Sequence, residues 1–146
     1  MMTSITGTIL IVDDDVDFVD SLSTFLALNG FAVLSAHDGR EGLRLAKMHQ
    51  PDLIIMDIIM RERSEGLFTV QQVRQAPELR EVPIFVVSSL YSTIEDFGIA
   101  PDRGWLSHDE FFPKPVNTTL ILDKIRERLG AAQHMRQSVV KGNTQS

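Results

Sequence analysis

The chain has 146 residues, a hydrophobic fraction of 43% and a net charge of −6. That is enough for one domain with a sizeable core, and the acidic balance argues against sequence-independent binding to DNA or RNA, which needs a basic face. The absence of cysteine excludes disulfides, thiol catalysis and cysteine metal sites.

Residues 1–7 form a short polar lead without the basic start and apolar core of a signal peptide. No apolar run approaches the ~20 residues that span a bilayer, so no membrane role and a cytoplasmic location are expected. Thr8 to Val12 is the first predicted strand, and it runs into Asp13-Asp14-Asp15. Asp15 or Asp14 can cap the helix that follows, whose Val19, Leu22, Phe25 and Leu26 share one face at a 3.6-residue period. Asn29-Gly30 stops it, with Gly30 suited to a left-handed cap. Phe31 to Ala36 is the second strand. Asp38 and Glu41 have the spacing of a capping box for a second helix, which carries Leu43, Leu45 and Ala46 to about His49 before Pro51.

Leu53 to Asp57 is a third strand. Its unbroken apolar run, ending in one carboxylate, reads as a strand buried on both faces of a parallel sheet. A polar loop from Arg61 to Gly66 precedes a third helix over about Leu67 to Gln75. Ile84 to Val87, running into Ser88-Ser89, is strand four. The 89–110 stretch is irregular, with Gly98, Pro101 and Gly104 and only a weak helical tendency near Thr93 to Phe97. Glu110 to Pro113 is a short fifth strand that delivers Lys114. Asn117 caps a last helix whose Ile121, Leu122, Ile125 and Leu129 lie on one side, ending near Gly130. Residues 131–146 are polar, and a frayed, partly disordered tail is expected.

Strands alternating with helices imply parallel βαβ units, right-handed crossovers and helices on both faces of a doubly wound five-stranded sheet. In the order 2-1-3-4-5, strands one and three meet at the topological switch point, which brings Asp13, Asp14 and Asp57 into one crevice. Three such carboxylates repel one another and call for a hard cation; Mg²⁺ accepts carboxylates, carbonyls and waters. Lys114 adds a second positive charge opposite Asp57. Cation and lysine together suit Asp57 to accept a phosphoryl group, and Ser88 can hydrogen-bond a phosphoryl oxygen.

These residues, taken in order, resemble the response-regulator receiver domain, CheY-like, of two-component signalling. The resemblance spans about residues 7–130 and rests on Ile9-Leu-Ile-Val-Asp13-Asp14-Asp15, Asp52-Leu-Ile-Ile-Met-Asp57-Ile-Ile-Met60, Pro83-Ile-Phe-Val-Val-Ser88-Ser89 and Phe111-Phe-Pro-Lys114-Pro115. It implies a flavodoxin-like (βα)5 fold, with a receiver unit over 8–130 between the 1–7 lead and the 131–146 tail. It also implies Asp13 and Asp14 as the Mg²⁺-binding pair, Asp57 as phosphoacceptor and the Ile59 carbonyl as a further metal ligand. Ser88 becomes the switch hydroxyl, Lys114 the phosphate-pairing lysine and Phe111 the switch aromatic, with a cis Lys114-Pro115 bond. A sensor histidine kinase or a histidine phosphotransfer protein would supply the phosphoryl group. The chain ends soon after the last helix, so output is expected through another protein or a homodimer.

The chain departs from the family pattern at Arg61, where proline is usual, and in an atypical region between strands four and five that contains Pro101 to Trp105. Two other functions compete. A haloacid-dehalogenase-type phosphatase would use Asp13 and Asp15 as its acid pair but would leave Asp57 without a role. A phosphate-independent adaptor would keep the fold alone.

Overall fold

The computed structural model describes residues 7–58, 65–88 and 110–130. Expectations for the lead before residue 7, for Ile59 and the Arg61 loop, for the 89–109 region and for the tail lie outside the described residues.

In chain order the elements are β1 (Gly7–Val12), α1 (Val16–Leu28), β2 (Phe31–Ala36), α2 (Gly39–His49), β3 (Leu53–Asp57) and α3 (Glu65–Gln75). A 3-10 turn (Pro77–Leu79), β4 (Ile84–Ser88) and β5 (Glu110–Pro113) follow. A final helix, α4, covers 118–130. The strands form one parallel sheet in the order β2-β1-β3-β4-β5, as the sequence predicts.

Successive residues of a strand point to opposite faces, and here both faces are covered. Leu10, Val12, Ile54, Met56, Ile84 and Val86 turn toward α2 and α3, where they pack with Ala46, Val70 and Val73. Ile9, Ile11, Leu53, Ile55, Phe85 and Val87 turn the other way, against Leu22 and Leu26 of α1 and Ile121 and Ile125 of α4. Two cores on one central sheet explain why the strands read as unbroken apolar runs. The same alternation splits the two phenylalanines of β5. Phe112 joins the α1/α4 core, its ring 5.4 Å from that of Phe85, while Phe111 packs half-buried on the other face.

Local signals set the ends. Asp15 caps α1 by accepting the Phe18 N–H at 3.1 Å, and Gly30 takes φ 93° just past its end. Asp38 caps α2 through the Glu41 N–H at 2.8 Å. Of the capping box, Glu41 spends its carboxylate on Arg44 at 2.6 Å. Asn117 accepts the Leu120 N–H at 3.0 Å and caps α4. The third helix is described over Glu65–Gln75, two residues before the expected Leu67.

Candidate functional site at the carboxyl edge of the sheet

Strand register assembles the site. Val12 lies opposite Met56 and Asp57 opposite Val87, so Asp13 emerges beside Asp57 at the carboxyl edge. Ser88 lies opposite Pro113, and its carbonyl accepts the Lys114 N–H at 2.8 Å. The predicted Lys114-Pro115 cis bond is present.

The three consecutive aspartates divide their work. Asp13 turns inward and is fully buried; its Oδ1 accepts the Asp15 N–H at 2.9 Å. Its own N–H donates to the Ala36 carbonyl at 3.0 Å, and its carbonyl accepts from His37 Nδ1 at 3.2 Å. Asp14 is half-buried, and Asp15 is the exposed helix cap. Helix capping therefore accounts for Asp15 and leaves Asp13 and Asp14 for other work.

Carboxylate oxygens of Asp13, Asp14 and Asp57 all lie within 4.8 Å of one another. Asp57 is 4% exposed and Ser88 fully buried beside it. At that spacing, like charges repel by at least about 3 kcal/mol per pair for an effective dielectric of ~20. Lys114 Nζ provides part of the compensation, 2.8 Å from Asp13 Oδ2 and 3.6 Å from Asp57 Oδ2. Burial works against the charged ammonium. The Asp13 carboxylate beside it, helped by Asp57 and Asp15, outweighs burial and holds its pKa above the usual lysine value. Lys114 is therefore a cation throughout the neutral range.

A hard divalent cation fits this donor set. Asp13 Oδ2 is buried and accepts no well-aligned hydrogen bond, its charge met by the ion pair to Lys114 alone among the described residues. Among the described residues, one ammonium against three carboxylates leaves a net negative crevice of oxygen ligands, which suits Mg²⁺.

Sequence reasoning named Asp13, Asp14, Asp57, Ser88 and Lys114, and the structure brings all five to this edge. Phe111 sits one strand position before Phe112, on the α2/α3 face. Ile59 lies outside the described residues. One neighbour went unnoticed: the ring of Phe18, in the first turn of α1, lies under Lys114 with Nζ 4.3 Å from its centroid. Its signal was its place one turn before Leu22 at the edge of the α1 apolar stripe.

Comparison with known proteins agrees with this geometry. The response regulator receiver domain family matches residues 9–126. The response regulator MprA of Mycolicibacterium vanbaalenii is 35% identical over 121 residues, which is 83% of this chain and 49% of that protein. The MprA of Mycobacterium tuberculosis strain H37Ra is 34% identical over the same share of the chain. This chain thus spans about half the length of the curated relatives it matches. Among solved structures, a CheY-like receiver domain protein from Methanospirillum hungatei is 27% identical with a TM-score of 0.74, covering 88% of this chain and 97% of that one. The receiver domain of a signal transduction histidine kinase from Syntrophus aciditrophicus is 26% identical with a TM-score of 0.74, covering 86% and 91%. Strand order, edge chemistry and these likenesses agree: the chain belongs to the response regulator receiver domain family.

Proposed function

We propose that this receiver domain takes a phosphoryl group onto Asp57 and passes on its phosphorylation state by changing what it binds. The observation that carries the reading is the Asp57 carboxylate at the end of β3, close to two other carboxylates and 3.6 Å from the Lys114 ammonium.

A carboxylate oxygen of Asp57 attacks the phosphorus of a phosphohistidine on a sensor kinase or a phosphotransfer protein. The P–N bond breaks, its electron pair stays on the imidazole nitrogen, and an acyl phosphate forms. Asp13, Asp14 and Asp57, with the Ile59 carbonyl, would hold Mg²⁺, which supplies positive charge to the transferring oxygens. Lys114 pairs with a phosphoryl oxygen from the other side. Ser88, at the end of β4, donates its hydroxyl to another, and Phe111 follows as the switch aromatic.

The functional unit in this reading is 8–130, between the 1–7 lead and the 131–146 tail, acting in the cytoplasm. It is a phosphoacceptor switch rather than a turnover enzyme, with output through a partner protein or a second copy. The phosphatase alternative has no use for Asp57, which belongs to the acidic cluster, and it needs Asp15, which is occupied as a helix cap.

Acetyl phosphate with Mg²⁺ should retard the protein on a phosphate-affinity gel, and Asp57→Asn should abolish the shift because an amide is a poor nucleophile. A shift that survives in that variant assigns the phosphoryl group elsewhere. No shift in the wild type favours the phosphate-independent adaptor.

A further inference from the structure

Lys114 has partners of two kinds. The carboxylates of Asp13 and Asp57 lie 2.8 and 3.6 Å from Nζ, and the Phe18 ring has its centroid 4.3 Å from Nζ. Both Phe18 and Lys114 line an open groove of about 590 Å³ together with Asp17, Leu22, Pro115 and Val116. The lysine stem is long and flexible, and it lines that groove. The ring face attracts the ammonium through its quadrupole.

We propose that Phe18 is a positioning residue for Lys114. Its ring holds the ammonium at the crevice when Asp13 is engaged elsewhere, and so sets the rate at which Asp57 accepts a phosphoryl group. The inference rests on the phosphoacceptor reading above. Asp13 cannot do this work alone. Its buried Oδ2 is the atom that faces the lysine, and the same carboxylate contributes an oxygen to the cluster that suits a divalent cation. A cation there draws on the same carboxylate and repels the ammonium. The Phe18 ring carries no net charge and no ligand atom, so its attraction for Lys114 is not spent on the cation. A leucine at this position would keep an apolar contact and lose the quadrupole, whereas tyrosine would keep both.

Two measurements on the full chain test the proposal. Lys47, Lys114, Lys124 and Lys141 are the chain's lysines, so their ε-methylene proton signals are few. Those of Lys114 should lie upfield of the other three, shielded by the ring, both without and with Mg²⁺. Phe18→Leu should abolish that displacement and Phe18→Tyr should preserve it. In the second measurement, Phe18→Leu should slow labelling by acetyl phosphate at saturating Mg²⁺ about 3- to 10-fold, the range expected for a partly desolvated cation–ring contact. Mg²⁺ affinity should stay within about twofold, and Phe18→Tyr should restore the rate. An unshielded Lys114 in the wild type overturns the proposal. So does labelling of Phe18→Leu at the wild-type rate, or a tyrosine that fails to restore it. A wild type that takes no label overturns the phosphoacceptor reading itself, while the proton shifts still decide whether the ring holds the lysine.

Discussion

Lys114 touches both of the site's conflicting demands, since it neutralises carboxylates that must nevertheless stay available. Removing it exposes that conflict. In Lys114→Met the Asp13 Oδ2 loses its ion-pair partner while it remains buried, and the repulsion within the cluster is unrelieved. Without divalent cations this variant should be less stable than wild type by about 1–3 kcal/mol, the usual cost of stranding a buried polar group. Mg²⁺ should narrow the gap, because it replaces the missing charge. Urea melts with and without Mg²⁺ measure both, and a gap that Mg²⁺ leaves unchanged would mean that the ammonium does not compensate the carboxylates. The acidic residues and the lysine were legible in the sequence because each follows an apolar strand, and strand ends in a parallel sheet converge. What the sequence left open was whether Asp14 or Asp15 caps α1. Three adjacent aspartates have the same composition, and only the turn into α1 decides which one caps. Phe18 was illegible for a related reason, since an aromatic at the edge of an apolar stripe looks like core until its neighbour is known.

At the scale of elements, the close approach of α2 to β1 governs how Asp13 is presented. Gly42 lies on the buried side of α2, and a Cβ there would come within 2.7 Å of Val12 Cγ2 and 2.8 Å of Cγ1. Val12 is the residue before Asp13, so anything that pushes α2 outward also strains the strand that feeds the site. Gly42→Ala gains about 0.8–1 kcal/mol in helix propensity but meets an overpacking cost of about 1–3 kcal/mol. We expect a net loss of about 1 kcal/mol. Its origin can be checked by a double-mutant cycle, in which Val12→Ala should cost less in the Gly42→Ala background than alone. Additive effects would place the strain elsewhere. The elements themselves were largely legible. The sequence predicts β2, β3 and β5 at their observed limits, because an apolar run ends where burial ends. It set β1 and β4 one residue short, since Gly7 and Ser88 join the ladder through their partners Phe31 and Pro113 rather than by their own hydrophobicity. The capping box at α2 was half right: Asp38 caps, but Glu41 has a better offer from Arg44, a cation three residues on.

At the scale of the whole molecule, two well-filled cores support an edge that is electrostatically unfavourable by itself. The cores make the fold; the edge subtracts from it, and a cation that binds only the assembled edge should return what is lost. By mass action, ligand at 100 times its dissociation constant adds about 2.7 kcal/mol of stability. For a domain of this size that corresponds to a rise in Tm of about 10 °C. We therefore expect Mg²⁺ to raise the melting temperature of the wild type by several degrees or more at millimolar concentrations, beyond any effect of NaCl at matched ionic strength. The double variant Asp13→Asn/Asp14→Asn separates the two contributions. It removes two charges from the cluster, so its melting temperature without Mg²⁺ should be at or above that of the wild type. It also removes charge from the ligand set, so most of the Mg²⁺-dependent rise should disappear. If the variant kept the full rise, the cation would be binding elsewhere on this acidic chain. If it melted far below wild type, Asp13 and Asp14 would be holding the fold together rather than opposing it, and the assignment of this edge as a metal and phosphoryl site would lose its main physical support.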